Sequence, residues 1–218
     1  MRLWYRFCRS LCHLAFLGYC RGRVFGAARV PLSGPVLLVC NHQSYLDPVL
    51  ATLALRRECH YMARDTLFRG GLFERLIVSL NALPIRRSSA DLSAIKETLR
   101  RLRQGALITV FPEGTRTPDG RVREMQPGVV LLARRAGAPL VPTLILGAYE
   151  CWPRQARLPR PHPVIVAYGQ PLTPTEIRER DDEECMRLVR ARILEMMERY
   201  ARHPLFRDRP RLPRHSGR

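Results

Sequence analysis

Short aliphatic and β-branched runs that alternate with helix-period segments constrain this chain more than any other feature. Residues 36–40, 59–63, 82–85, 106–111, 140–146 and 164–168 are such runs, each fitting a strand buried on both faces. Between them, residues 47–56, 72–80, 92–103 and 128–136 repeat apolar side chains at helical spacing. In the third of these Leu92, Ile95, Leu99 and Leu102 share a face, and Ser88 and Asp91 precede it in capping-box spacing. Such alternation predicts an α/β fold, a single domain with a mostly parallel central sheet covered by helices. A last helix is expected from Thr173, with Pro174 at its first position and Glu176 closing a Thr-x-x-Glu box. Its apolar line runs through Ile177, Met186, Val189, Ile193 and Met197.

The N-terminus carries a different pattern. Arg2, Arg6, Arg9 and His13 recur at steps of three and four, while Leu3, Trp4, Phe7, Leu11, Leu14 and Leu17 gather on the other side. This reads as a basic amphipathic helix suited to lying in a headgroup layer, and equally as a helix laid on the protein's own core. It is too short to span a bilayer: the uncharged stretch between Arg9 and Arg21 has 11 residues, where a span needs about 20. Arg21 and Arg23 directly after it, and the lack of a small-x-small cleavage site, argue against an exported leader. With 218 residues there is room for one core. The expected organisation is a docking segment at 1–30, a core at 31–172, the C-terminal helix at 173–203 and a basic, disordered tail at 204–218.

Thirty-seven Lys and Arg stand against 19 Asp and Glu, a formal charge of +18, and Lys96 is the only lysine. Genomic base composition accounts for the arginine skew more readily than selection for bidentate recognition does. The charge itself calls for an anionic partner: nucleic acid, an acidic membrane or a phosphorylated substrate. Nucleic acid is not expected, because the arginines do not alternate with aromatics and no helix-turn-helix or zinc pattern is evident. Seven cysteines without a CxxC pair read as reduced thiols of a cytosolic compartment.

Two strand ends carry chemistry-bearing residues. In Asn41-His42-Gln43-Ser44-Tyr45-Leu46-Asp47 the histidine follows a strand and the aspartate opens a helix. Asp47 could fold back onto one imidazole nitrogen of His42 and leave the other as a base. A lone His-x4-Asp is more often an aspartate helix cap beside an incidental histidine. Ser44 lacks a Gly-x-Ser-x-Gly elbow, so no serine nucleophile is expected and the dyad suits a hydroxyl supplied by substrate. Phe111-Pro112-Glu113-Gly114-Thr115-Arg116 ends another strand: Gly114 permits close backbone approach, Thr115 offers a hydroxyl and Arg116 a planar fork for phosphate. On its own it also reads as an ordinary turn. Arg86 and Arg87 end a third strand, and Val141-Pro142 lies in a later one.

In order and spacing these four blocks resemble the glycerolipid acyltransferase family, most closely its lysophosphatidate acyltransferases. The resemblance covers residues 36–146, about half of the chain. It implies that His42 is the general base and Asp47 its orienter. It implies further that Arg87 (rather than Arg86), Glu113, Gly114, Thr115 and Arg116 bind the phosphorylated acceptor, and that Val141 and Pro142 help line the substrate site. The implied reaction moves a fatty acyl group from acyl-CoA or acyl carrier protein to the hydroxyl of lysophosphatidate, without an acyl-enzyme, a metal or a redox cofactor. Glycerol-3-phosphate or a lyso-aminolipid are alternative acceptors within the same chemistry. The implied partners are the lysophospholipid, the thioester donor and an anionic membrane surface, reached as a peripheral or monotopic protein on the cytoplasmic face. One amphipathic helix stands where some members have a two-helix membrane element.

Overall fold

Every residue of Val36–Cys40 is buried, as a strand with apolar side chains on both pleated faces must be. Leu37 and Val39 project into one apolar core, and Val36, Leu38 and Cys40 into another on the opposite side. This strand, β2, lies at the centre of the sheet in a computed structural model that describes residues 1–85 and 92–206. The other strands, numbered along the chain, are β1 (Arg23–Phe25), β3 (Cys59–Arg64), β4 (Ala82–Ile85), β5 (Leu107–Val110), β6 (Leu140–Leu146) and β7 (Ile165–Tyr168). Their order is β1-β7-β6-β2-β5-β3-β4. β2 to β6 all run the same way, whereas β7 is antiparallel to β6 and β1 parallel to β7. The expected mostly parallel α/β sheet is therefore the observed one.

Helices α4 (Leu92–Arg103), α5 (Gly128–Ala136), α7 (Pro174–Arg178) and α8 (Asp182–Ala201) cover the face that receives Leu37 and Val39. The other face is covered by α1 (Leu3–Gly18), α2 (Asp47–Leu50) and α6 (Ala148–Cys151), which contribute Phe16, Leu50, Ala148 and Cys151. A last helix, α3 (Gly71–Ser79), precedes the edge strand β4. Among the described residues no helix is long and apolar enough to cross a membrane.

All six expected strands form. β1 was not expected: it has three residues, opens on a charged one and pairs only with β7, so it offers no run or alternation to read. The helix expected over 47–56 stops at Leu50. Thr52 is the reason: its hydroxyl donates to the carbonyls of Val49 and Pro48, and the backbone tightens into three-residue turns. The C-terminal helix is likewise two helices. Thr173 forms the expected capping box with Glu176, but Asp181 accepts from Glu184 N at 2.7 Å and starts a second helix. Pro204–Phe206, placed in the tail, forms a 3-10 turn with Leu205 and Phe206 against the core. Ser88, Asp91, Arg86 and Arg87 lie outside the described residues, as does the tail from residue 207.

Candidate active site

The parallel pairing of β2 with β5 sets Val39 opposite Val110, so the two chemistry-bearing loops leave the sheet side by side at its carboxyl edge. Asn41 makes the exit from β2. Its buried side-chain amide donates to Ile145 O at 2.9 Å and accepts from Ile145 N at 2.8 Å. A side chain thus continues the ladder to β6 and frees the backbone to turn at His42.

Asp47 opens α2 but bonds none of that helix's own N–H groups. Its Oδ2 accepts instead from His42 Nδ1 at 2.8 Å, from Gln43 N at 2.5 Å and from Ser44 N at 2.7 Å. The carboxylate thus serves the loop and not the helix end. With Nδ1–H held by a fully buried carboxylate, Nε2 is the nitrogen free to take a proton. The imidazole is only 12% exposed and stacks on Phe111, with ring centroids 4.3 Å apart. Two of its degrees of freedom are thereby fixed by neighbours from both loops. Ser44 Oγ donates to Trp152 O at 2.9 Å and accepts from Leu46 N, which is the bonding of a turn residue.

The second loop is both a turn and part of the site. Gly114 has φ of +69°, which strains any other residue, and its N–H closes the turn onto Phe111 O. The turn delivers Glu113 to His42: Glu113 Oε1 accepts from His42 N at 3.0 Å, while Thr117 N donates to His42 O at 2.8 Å. Gln43 Nε2 donates to Gly120 O and ties the loops again. Thr115 is exposed at the rim. Arg116 lays its guanidinium on the ring of Tyr45, with Cζ 3.5 Å from the centroid.

Four buried side-chain atoms have no partner within the protein among the described residues: Gln43 Oε1, Asp47 Oδ1, Glu113 Oε2 and Arg116 Nη1. All four belong to these two loops. Buried polar groups in folded proteins are almost always paired, with protein or with water, so this cluster makes the two loops the candidate polar site. Burial pushes the Glu113 carboxyl up to about 7, helped by the nearby Asp47 charge and opposed by the His42 and Arg123 N–H groups. Its ionisation in the folded state is therefore disfavoured. The cost is absent below the unfolded value of about 4.5 and complete above pH 7, with an upper bound of about 3 kcal/mol. Glu113→Gln is accordingly expected to raise stability at pH 8 and much less at pH 5, read by denaturant unfolding at the two pH values. An equal gain at both would show that the carboxyl does not titrate in this range.

The remaining site candidates fall elsewhere. Val141 and Pro142 are buried in mid-strand, opposite Leu38 and Val39 and below the level of His42, so the structure does not bring them to the loops. Pro142 is tolerated there because its N and O face the end of β7; its carbonyl accepts from Gly169 N at 2.8 Å. Arg87 lies outside the described residues; Ile85, just before, ends the edge strand, with β3 between it and β5. Phe111 as the ring under His42, and Tyr45 as the ring under Arg116, were not singled out in the sequence. An aromatic placed inside each motif was the only available signal.

The acyltransferase family profile matches residues 21–146, which contain both loops and the strands that carry them. The chain belongs to the acyltransferase family. Among curated relatives, this acyltransferase is 28% identical over 158 residues to a 1-acyl-sn-glycerol-3-phosphate acyltransferase of Cocos nucifera, covering 71% of this chain and 51% of that one. It is 29% identical over 146 residues to the protein of the same name from Bacillus subtilis, covering 66% of this chain and 71% of that one. The chain thus spans about half the length of the first of these relatives. Among solved structures it is similar to the crystal structure of the 1-acyl-sn-glycerophosphate (LPA) acyltransferase PlsC from Thermotoga maritima. The TM-score is 0.78 at 25% identity, over 91% of this chain and 80% of that one.

Proposed function

We propose that this acyltransferase transfers a fatty acyl group from a thioester donor, acyl-CoA or acyl carrier protein, to the free hydroxyl of lysophosphatidate. The observation that carries the reading is the Asp47 carboxylate holding His42 Nδ1 at 2.8 Å beside the Glu113 to Arg116 turn. A thioester already has a good leaving group, so the demanding part is to make the acceptor hydroxyl nucleophilic and hold it against the carbonyl. His42 Nε2 takes the hydroxyl proton as the oxygen attacks, and the buried Asp47 stabilises the imidazolium that forms. When the C–S bond breaks, the imidazolium returns the proton to the departing thiolate. Side chains and the co-substrate carry the whole step, with no resident cofactor and no acyl-enzyme. Arg116, with Arg87 as its expected counterpart, binds the acceptor phosphate. The test is incubation of the purified protein with lysophosphatidate, glycerol-3-phosphate and a lyso-aminolipid, each with palmitoyl-CoA and with palmitoyl-acyl carrier protein, the products being identified by mass spectrometry. Phosphatidate as the main product supports the reading; acylation of another acceptor in its place sinks it.

The same proposal places the enzyme on the cytoplasmic leaflet as a peripheral protein docked through α1. Tyr5, Arg9, Cys12 and Phe16 turn toward the body, while Leu3, Phe7, Leu11 and Leu14 point to the opposite side and are exposed, Leu3 by 81% and Leu14 by 70%. Both readings of the helix therefore hold in part: Tyr5, Cys12 and Phe16 pack it on the core, while the Leu-rich face expected to be buried stays exposed. The arginine stripe differs from expectation. Arg2 bonds Glu58, Asn81 and the Ser79 carbonyl, and Arg9 bonds the Leu55 carbonyl, so both hold the helix to the body rather than reaching for phosphate. Trp4 Nε1 also donates to Ser79 Oγ of α3, whose Leu72 and Phe73 are exposed as well. An anionic bilayer fits a +18 protein that presents such a face. Phe7→Asp with Leu11→Asp is expected to release the protein from phosphatidylglycerol vesicles in a flotation assay while leaving the melting temperature unchanged. Retained binding would deny α1 the docking role.

A further inference from the structure

The loop of His42 and Asp47 carries a residue the catalytic reading does not use. Tyr45 is half exposed, and the flat of its ring meets the Arg116 guanidinium at 3.5 Å. On this ring also rests Trp152, with centroids 5.3 Å apart and planes inclined by 46°. Trp152 follows α6 at the end of β6, so a third strand end converges on the site. Its own position is fixed twice: Nε1 donates to Ala156 O at 3.1 Å, and its carbonyl accepts from Ser44 Oγ at 2.9 Å. Ser44 N in turn bonds Asp47 Oδ2. The aromatic pair is thus anchored to the same carboxylate that orients the base.

A guanidinium presents its hydrogen-bond donors at its edge and a weakly hydrated surface on its faces. Covering one face with an aromatic ring leaves the edge free and restricts the plane in which it can act. Here the buried edge atom Nη1 has no partner among the described residues. We infer that Tyr45, backed by Trp152, is a positioning residue that holds Arg116 edge-on to the acceptor phosphate, and that this stack sets the enzyme's affinity for a phosphorylated acceptor. The inference rests on the reading of Arg116 as a phosphate ligand. The effect belongs to the ring: both contacts of the stack are ring contacts, and among the described residues no hydrogen bond of the phenol hydroxyl is part of it.

The test uses the full chain with palmitoyl-CoA as donor and lysophosphatidate as acceptor. Tyr45→Leu is expected to raise the KM for lysophosphatidate about 3- to 30-fold, the range for loss of a cation–π contact, with kcat and the KM for palmitoyl-CoA little changed. Tyr45→Phe should behave as the parent, and Trp152→Leu should shift the same KM by a smaller factor. In an Arg116→Ala background, Tyr45→Leu should add nothing further, because the group it positions is gone. A half-exposed ring leaves the fold intact when replaced, and a melting curve checks that directly. The inference is overturned if Tyr45→Leu leaves the acceptor KM unchanged, if it changes donor and acceptor KM alike, or if its effect persists without Arg116. Should Arg116→Ala itself leave the acceptor KM unchanged, the phosphate role of Arg116 fails, and the positioning role falls with it. A shift with Arg116→Ala but none with Tyr45→Leu removes the positioning role alone.

Discussion

His42→Ala is expected to lower kcat by about two to four orders of magnitude while the melting temperature stays close to that of the parent. The size follows from what the ring is held to do. Asp47 Oδ2 receives Nδ1–H and two backbone N–H groups, so the carboxylate is fixed as a threefold acceptor and cannot rotate away from the imidazole. Phe111 restrains the ring plane, leaving Nε2 as the single position where a proton can be accepted. Removing the ring removes that acceptor without opening the sheet, because His42 lies beyond the end of β2. Asp47→Asn should also lower kcat, for a separate reason: a neutral amide cannot stabilise the imidazolium, and its NH2 group competes for the wrong tautomer. Ser44→Ala gives the contrast. The Ser44 hydroxyl proton is directed to Trp152 O, so this variant should keep substantial turnover. Single-turnover kinetics on the three variants would decide the matter; near-normal turnover by His42→Ala would remove it as the base.

The parts of this fold that could be read in the sequence are those where one chemical property dominates. β2 and β6 are apolar at nearly every position, and a run buried on both faces has no other stable place than mid-sheet. β1 escaped because an edge strand of three residues is held by its neighbour rather than by its own composition. The helix after Asp47 was overextended because apolar spacing continues past Leu50, while a single Thr52 hydroxyl diverts the carbonyl acceptors. Similarly, Asp181 ends one helix only by starting another, and a capping side chain in mid-pattern looks like any surface aspartate. For the site, spacing alone left His42 with Asp47 and the Glu113 turn as two separate weak signals; it was the order of the four blocks, through the resemblance, that joined them. What spacing could not reveal was which surface each side chain would meet. Arg2 and Arg9 read as headgroup ligands and serve instead as anchors, because their carbonyl and carboxylate partners come from 46 or more residues away. Val141 and Pro142 sit in the same sheet as the two motif loops yet short of its carboxyl edge, a difference in height along a strand that no one-dimensional pattern encodes.

Arg116→Ala is expected to reduce kcat/KM for lysophosphatidate by about 10-fold to over 100-fold. A charge-assisted bond from guanidinium to phosphate contributes roughly 1.5 to 3 kcal/mol, and its deletion also leaves the substrate charge poorly compensated. The local structure favours the upper part of that range. Arg116 lies with one face on Tyr45 and its Nη1 buried, so the side chain is held in place before substrate arrives and little rotamer freedom remains to be lost. Lysine should restore only part of the loss: it returns a point charge but neither the planar fork nor the stacking surface that Tyr45 offers. The phosphate assignment is decided by comparing lysophosphatidate with monoacylglycerol, the same acyl acceptor without its phosphate. If Arg116 binds phosphate, the substitution slows acylation of the first far more than of the second. Equal slowing of both would move Arg116 away from the acceptor headgroup, to the donor or to the stability of the loop.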